Sequence, residues 1–376
     1  MASLTELRDQ LDAVDDQIVR LFEKRMDLCG QVGEYKIQNG KKVFDRNREN
    51  QKLQDVESKV STEFNKKGVH ELYEQLMSMS RKLQYQQLVQ AGALGRLPFI
   101  SVPSLHAGNA RIVFPGTEGA YSQAATVHYF GENCNCFYVQ TFRDAMEAIE
   151  EGAADFAVLP IENSTAGSVD EMYDLLVEFE NYIVGETIIP IEHTLAGLAD
   201  AELSDIRKVY SKGVALLQAS GFLNAHSDWQ QISVANTAIA AQKILDDQDK
   251  SQAAVCSAYA AKAHGLKVLA EKINDDPDNC TRFIVVTNQK IFLEDAGKIS
   301  ICFELPHTSG SLYHLLSHFI YNDLNMTRIE SRPIKGRNWE YRFFIDFEGN
   351  LADAAVKNAI RGLREESRSL RILGNY

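Results

Sequence analysis

Between residues 4 and 35 the apolar side chains fall at Leu4, Leu7, Leu11, Val14, Ile18, Leu21, Leu28, Val32 and Tyr35, in steps that alternate three and four. That spacing is the seam of one long helix, and Ser3 followed by Glu6 supplies the capping box that starts it. A heptad seam sustained over this length needs a partner surface. One position breaks it, because the seam residue between Leu21 and Leu28 is Arg25. A cation there fits two readings, a polar residue that fixes coiled-coil register or a group that faces an anion.

The helix is expected to stop near Asn39 and Gly40, where a C-terminal signal is followed by Lys41 and Lys42. A second, short helix is expected to start around Asp45. A third, over 68 to about 88, carries Val69, Leu72, Leu76, Met79 and Leu83 at helical spacing. Lys36 follows Arg25 by close to three full turns, so the two point the same way about 16 Å apart. Asp45, Arg48 and Glu49 share one face of the second helix, and Ser80 and Gln84 repeat the i, i+4 relation on the third.

Residues 87 to 109 carry Gly, Pro and Ser without periodicity and read as a connection. From 110 onward short β-rich runs ("RIVF", "FAVLP", "YIVGETIIPI", "KVY", "QAAVCS", "RFIVVT") alternate with helices, which predicts a three-layer α/β domain. Several of the strands end in hydroxyl-rich or Gly-containing loops that open a helix, a set suited to a small dianion in a cleft between two lobes, or to ordinary capping. From Lys298 the order is strand, helix, two strands, helix, strand, the ferredoxin-like α+β arrangement.

A net charge of −13 makes nucleic acid or an anionic membrane a poor partner, and places the weight on local clusters of cations. The six cysteines (29, 134, 136, 256, 280, 302) are scattered without metal-ligand spacing, so neither a disulfide framework nor a metal site is expected, and a reducing, cytoplasmic setting fits. No loop matches a dinucleotide or Walker pattern, so no cofactor is expected. No apolar window is long enough for a membrane span, and the N-terminus lacks a signal-peptide core.

The first 90 or so positions resemble the all-helical chorismate mutase family on Arg8, Arg25, Lys36, Asp45, Arg48, Glu49, Ser80 and Gln84. The resemblance implies that Arg8 and Arg25 clamp carboxylates, that Lys36 and Gln84 address the ether oxygen, and that Glu49 holds the hydroxyl. Arg48, Asp45 and Ser80 would complete the wall. The chemistry is positioning plus preorganised charge, with no nucleophile. Apart from the resemblance, Arg8 and Lys36 lie about 42 Å apart on a straight helix, so they cannot reach one small ligand from the same chain. A homodimer or higher oligomer built on the seam would lend Arg8 from the partner.

Residues 110 to about 287 resemble the prephenate dehydratase family, with a two-lobed, periplasmic-binding-protein-like fold, on "GxxGxYS" (116 to 122), "PIENS" (160 to 164) and "TRF" (281 to 283). The resemblance assigns Thr281 to the leaving hydroxyl, Asn163, Ser164, Ser211 and Gln218 to the pocket, and Arg282 to a carboxylate. Glu162 reads either as a proton source or as a structural acid. Cys280 has no role the reaction requires. Where the family usually has a His-Pro-Gln-like turn after Ser211, this chain has Lys212, Gly213 and Val214. The C-terminal region resembles the ACT domain, in which Gly310, Ser311 and Leu312 and the run Glu330, Ser331, Arg332 and Pro333 match phenylalanine-binding motifs.

The expected organisation is a helical mutase domain over 1–88, a linker over 89–109, a dehydratase domain over 110–290 and an ACT regulatory domain over 297–376. The expected function is conversion of chorismate to prephenate and then phenylpyruvate, with phenylalanine as effector. A non-enzymatic dimeric sensor is the competing class. It would explain the seam and the lobes, but not the charged set on the helices together with "TRF".

Overall fold

The computed structural model describes residues 2–91 and 97–376, so part of the expected linker lies outside the described residues. The chain divides into two compact units, one of Met1–Pro98 with Ile301–Ile372 and one of Phe99–Ser300 with Leu373–Tyr376.

In the first unit three helices run α1 (Leu4–Gln38), α2 (Arg46–Glu57) and α3 (Glu63–Gln90). The Ser3–Glu6 capping box starts α1 and Asn39 caps its end. Asp45 is the N-cap of α2, its carboxylate accepting from the Arg48 backbone N–H at 3.1 Å. α3 begins five residues before the expected start, because Glu63 to Gly68 extend the helix without any apolar periodicity to announce it.

α1 has two faces with different fates. Phe22, Arg25, Met26, Cys29, Gly30, Gly33, Lys36 and Ile37 are partly or fully covered, a 3-and-4 spacing that packs on α3. At Gly33 a Cβ would come within 2.0 Å of Gln87 Oε1 and 2.9 Å of Gln84 Cγ, so glycine is what lets α3 approach. The heptad seam is on another face. Its apolar members are exposed, from 46% at Val32 to 66% at Leu21, and every residue from 2 to 21 is exposed.

From Lys298 the chain follows a β-α-β-β-α-β order: strand Lys298–Glu304, helix Ser311–Ile320, strands Met326–Pro333 and Tyr341–Glu348, helix Ala354–Glu366, strand Ser369–Asn375. In the sheet the strand at 326 lies beside that at 341, then that at 298, then that at 369. The helix Ala354–Glu366 buries Val356, Ala359, Ile360 and Leu363 and also packs against α3.

The second unit is two-lobed. In one lobe Tyr182–Pro190, Cys280–Thr287, Phe156–Asn163, Arg111–Pro115 and Asn135–Val139 pair in that order, and Gly374 extends the edge by pairing with Ile183. In the other, Lys267–Ala270, Thr194–Gly197, Gln252–Cys256, Lys208–Ser211 and Gln230–Ser233 do so. The second sheet is covered on its two faces by separate clusters, one around Ala240, Ala241 and Ile244 and one around Leu216, Leu223 and Trp229. The chain enters the second lobe after Pro190 and leaves it after Ala270, so two segments join the lobes. Strands such as Thr194–Gly197 carry no run long enough to read in the sequence, since four buried residues of mixed type give no period. Among the described residues no helix is long and apolar enough to cross a membrane.

Candidate active sites

On the helices, the cation that interrupts the seam is met by α3. Arg25 Nη1 donates to Ser80 Oγ at 2.7 Å and to the Leu76 carbonyl at 3.0 Å, and Ser80 Oγ in turn donates to the Leu76 carbonyl at 2.6 Å. Of the two readings of Arg25, the register-fixing one needs its partner on a second helix copy; here the partner is in the same chain. Lys36 Nζ donates to the Val43 carbonyl at 2.6 Å. Burial pulls its pKa down, and Asp45 and Glu49 push it back up. Gln84 is buried, packs at Gly33, and its Oε1 has no hydrogen-bond partner among the described residues. Arg25, Lys36, Glu49, Ser80 and Gln84 are thus gathered where α1, α2 and α3 meet. Arg48 is exposed on α2, and Arg8 is exposed on the uncovered half of α1.

One residue of this cluster carried no sequence signal. Arg81 donates through Nη1 to Glu49 Oε2 at 2.5 Å. Next to Ser80 in a polar helix, it reads in the sequence as one more solvated charge.

In the two-lobed unit the strand register decides which candidates can act together. Thr281 is opposite Asn163 and Arg282 is opposite Glu162. Side chains of adjacent strand residues point to opposite faces, so Thr281 with Asn163 and Arg282 with Glu162 form two separate sets. On one face Asn163 Nδ2 donates to Thr281 Oγ1 at 3.0 Å, to Asn279 Oδ1 at 2.8 Å and to the Cys280 carbonyl at 2.9 Å. Gln218, from the other lobe, donates from Nε2 to Asn163 Oδ1 at 3.3 Å and to Thr165 Oγ1 at 2.7 Å. Its Oε1 lies 3.1 Å from His193 Nε2. An amide oxygen only accepts, so Nε2 carries the proton, and burial lowers the His193 pKa toward the neutral ring. Hydrogen bonds therefore run in one direction, His193 to Gln218 to Asn163 to Thr281.

On the opposite face Arg282 Nε donates to Glu186 Oε2 at 2.7 Å and Nη2 donates to Tyr376 OH at 2.7 Å, while Nη1 lies 3.5 Å from Glu162 Oε2. Lys298 also pairs with Glu186. Although burial pushes the Glu186 carboxyl up, Lys298 and Arg282 hold it below the usual range. The expected grouping of Glu162 and Arg282 with Thr281 is therefore not what these strands give. Ser164 Oγ accepts from the Cys280 N–H at 3.0 Å, bracing the loop. Ser211 is fully buried and donates to the Val255 carbonyl at 2.6 Å, tying two strands of the second lobe.

Three members of the Thr281 network were not anticipated: His193, Thr165 and Asn279. His193 has a faint signal, a charged and a ring polar residue inside the apolar stretch "IIPIEHTLAG". Asn279 is 2% exposed, and its Nδ2 has no hydrogen-bond partner among the described residues.

In the C-terminal part Gly310 caps the helix Ser311–Ile320 with φ +77°, a conformation glycine adopts without strain. Ser311 Oγ donates to the Pro306 carbonyl at 2.8 Å. A cavity of about 160 Å³ is lined by Ser311, Leu312, Tyr341 and Phe343 among others. Tyr341 and Phe343 are the register partners of Pro333 and Ser331, and Arg332 and Glu330 oppose Arg342 and Phe344. Among the described residues no group of three or more His, Cys, Asp or Glu is arranged to hold a metal ion.

Comparison with known proteins agrees with both halves. Residues 7–85 match the family profile for chorismate mutase type II, and residues 112–291 match that for prephenate dehydratase. A bifunctional chorismate mutase/prephenate dehydratase of Aquifex aeolicus is 30% identical over 379 residues, covering 100% of this chain and 98% of that one. Among solved structures, a prephenate dehydratase from Arthrobacter aurescens in complex with L-Phe is 33% identical with a TM-score of 0.66, covering 71% of this chain and 89% of that one. A quorum-quenching acylase, GqqA, is 31% identical with a TM-score of 0.65, covering 71% of this chain and 97% of that one. With one relative matched from end to end and both catalytic profiles in a single polypeptide, the chain belongs to the bifunctional chorismate mutase/prephenate dehydratase family.

Proposed function

We propose that the helical region rearranges chorismate to prephenate and that the two-lobed region then converts prephenate to phenylpyruvate. The observation that carries this is the presence of both family matches in one chain. In the first reaction Arg25, held by Ser80, binds a substrate carboxylate, Lys36 Nζ and the Gln84 amide N–H donate to the ether oxygen, and Glu49 accepts from the hydroxyl. Asp45 fixes the start of α2, and Arg48 closes its exposed side. Arg8 reaches the site from a second copy of the chain. The uncovered apolar seam on α1 supports that homodimer.

In the second reaction the ring C–O bond breaks with its electron pair leaving on oxygen, and the bond to the ring carboxylate breaks with its pair entering the ring. Carbon dioxide departs, one proton completes water, and aromatisation drives the change. Thr281 Oγ accepts from Asn163, so its own proton is directed away from that amide and toward the cleft. There it donates a hydrogen bond to the departing hydroxyl. Gln218 and His193 hold the Asn163 amide in the orientation this needs. Ser164 braces the loop beside it, and Ser211 ties two strands of the lobe that carries Gln218.

The region 297–376 is read as an ACT domain that binds phenylalanine, with 1–88 and 110–290 as the catalytic domains and 89–109 as the link. Its strand order supports the ferredoxin-like reading. The Arthrobacter structure, which holds L-Phe, aligns with 71% of this chain, about 267 residues, whereas the dehydratase profile spans only about 180. Gly310, Ser311 and Leu312 supply a helix start for an amino-acid carboxylate, and Glu330, Ser331, Arg332 and Pro333 lie on the strand whose partners line the adjoining cavity. The six unpaired thiols fit the cytoplasm.

The test is direct. Chorismate added to the purified chain should yield phenylpyruvate without another enzyme, and phenylalanine should suppress it. Ligand binding without turnover would favour the sensor reading instead.

A further inference from the structure

Arg81 is 8% exposed, and its guanidinium spans two carboxylates from different parts of the chain. Nη1 donates to Glu49 on α2 at 2.5 Å, and Nη2 donates to Glu366 on the helix Ala354–Glu366 at 2.6 Å. The guanidinium also lies over the Phe44 ring, 5.1 Å from its centre. The Glu366 oxygen that accepts from Arg81 lies 3.2 Å from His318 Nε2 on the helix Ser311–Ile320. Burial pushes the Glu366 carboxyl up, but His318 and Arg81 outweigh it and hold it at about 2, so it is charged at any working pH.

Other residues of α3 grip the same two helices. Lys82 Nζ donates to Ser317 Oγ at 2.9 Å, the Tyr85 hydroxyl donates to Glu365, and Glu74 faces His314 at 3.5 Å. Within this unit, then, the helix that carries Ser80 and Gln84 is fastened to the C-terminal region, and Arg81 is the point where that fastening touches a substrate-binding carboxylate.

We propose that Arg81 is a positioning residue of the chorismate rearrangement, anchored by Glu366 and holding the Glu49 carboxylate so that its Oε1 faces the substrate hydroxyl. A carboxylate offers acceptor sites on both oxygens, and the Arg81 contact engages Oε2. A planar guanidinium with two forked donors can serve two carboxylates at once, which a lysine ammonium on a single flexible stem cannot reproduce in the same geometry. If Glu366 is neutralised, the buried guanidinium keeps one counter-charge, and the contact that fixes its direction is reduced to a weaker, neutral-acceptor hydrogen bond. Glu49 would then be held loosely, and a misplaced contact costs rate even where no bond to substrate is removed.

This rests on the reading of Glu49 as the acceptor for the chorismate hydroxyl. The experiment uses full-length Arg81→Met, Arg81→Lys, Glu366→Gln and Glu49→Gln, with the double variant Arg81→Met/Glu49→Gln. Mutase activity is followed on chorismate, and dehydratase activity on added prephenate reports that each protein is folded. Arg81→Met is expected to lower mutase kcat/KM by roughly tenfold to a hundredfold. Arg81→Lys should recover only part of that, Glu366→Gln should give a smaller loss in the same direction, and dehydratase kcat should hold in all three. In the Glu49→Gln background, Arg81→Met should cost little more, because its effect passes through Glu49. Loss of equal size in both backgrounds would make Arg81 a general structural residue and overturn the proposal, as would wild-type mutase kcat/KM in Arg81→Met. Unimpaired mutase activity in Glu49→Gln would instead overturn the underlying reading of the site.

Discussion

Replacing Thr281 with valine removes the hydroxyl and keeps the shape. The hydrogen-bond chain ends at Thr281 Oγ, which accepts from Asn163 Nδ2 at 3.0 Å, and in the proposed reaction its own proton is the one offered to the departing hydroxyl. Losing one preorganised donor of this kind typically costs about 10² to 10³ in kcat. The cost to the fold is small by comparison. Asn163 Nδ2 keeps Asn279 Oδ1 at 2.8 Å and the Cys280 carbonyl at 2.9 Å, so one neutral hydrogen bond is lost, worth about 1 kcal/mol. Valine also suits a strand. The variant should therefore melt within a few degrees of the parent, rearrange chorismate at the parental rate, and accumulate prephenate. Phenylpyruvate formation from added prephenate is the assay. A folded Thr281→Val whose kcat stays within about threefold of the parent would refute the directed-proton argument, since the expected loss is far larger. Glu162→Gln is the contrast, because its side chain is on the opposite face of the strand pair and should cost much less.

Three further outcomes are expected. Arg8→Ala and Arg25→Ala homodimers should each lack mutase activity while a mixed dimer recovers one of two sites; a verified heterodimer without recovery would argue against a site built across chains. Lys82 is 3% exposed and burial pushes its pKa down from 10.5 to about 7, so folding expels a proton between those values, and the destabilisation is full below pH 7 and fades as pH rises toward 10.5. Lys82→Met should therefore be more stable than the parent near pH 6, on the order of 2 kcal/mol once the lost hydrogen bond to Ser317 Oγ and the lost contact of Nζ with the Tyr321 ring, 3.5 Å from its centre, are set against relief of the buried charge, with the gap closing toward pH 10 in denaturant titrations. Gly310→Ala should weaken phenylalanine binding measured by calorimetry, because φ is +77° there and a Cβ would crowd His314 Nε2 at 3.2 Å.

The helices could be read from the sequence because their signals are local. The capping box at Ser3, the stop at Asn39 and Gly40, and the helical spacing of Arg25 with Lys36 and of Ser80 with Gln84 each fall within a few turns of one another. Four of the five strands that pair in the first lobe were readable for the same reason, as apolar runs between turn residues, whereas Asn135–Val139 was not, because most of its residues are exposed. Register was not, because it is a relation between distant segments. Glu162 and Asn163 are neighbours in the motif "PIENS", and so are Thr281 and Arg282 in "TRF". Only the pairing of the two strands reveals that each motif splits between two faces. Arg81 was invisible for a related reason, since a buried cation differs from a solvated one only through partners 32 and 285 residues away. His193 stood out weakly, but its role depends on Gln218, which links it to Asn163 of the other lobe.

The chain's last residues bear on how regulation can be tested. Residues 301–372 cluster with the helices, but 298–300 and 373–376 cluster with the two-lobed unit. There Tyr376 OH accepts from Arg282 and shares a hydrogen bond with Ser300 Oγ at 2.8 Å, Lys298 pairs with Glu186, and Gly374 pairs with Ile183 at the sheet edge. Deleting 298–376 to remove the effector site would therefore take the Lys298 counter-charge from Glu186 and the Tyr376 hydroxyl from Arg282, both of which are half-buried or better, and leave a strand edge unpaired. Loss of dehydratase activity in such a truncation would report damage to the catalytic unit, whatever phenylalanine does. Substitutions confined to the effector motifs avoid this. Ser331 is exposed and its partner strand is intact in Ser331→Ala, so a change there that raises the phenylalanine concentration needed for inhibition, with prephenate turnover unaltered, isolates the effector site. Linkage then adds a constraint. Whatever factor phenylalanine imposes on prephenate binding, prephenate must impose on phenylalanine binding, so inhibition that persists while neither ligand alters the other's affinity would mean that phenylalanine acts on turnover rather than on affinity.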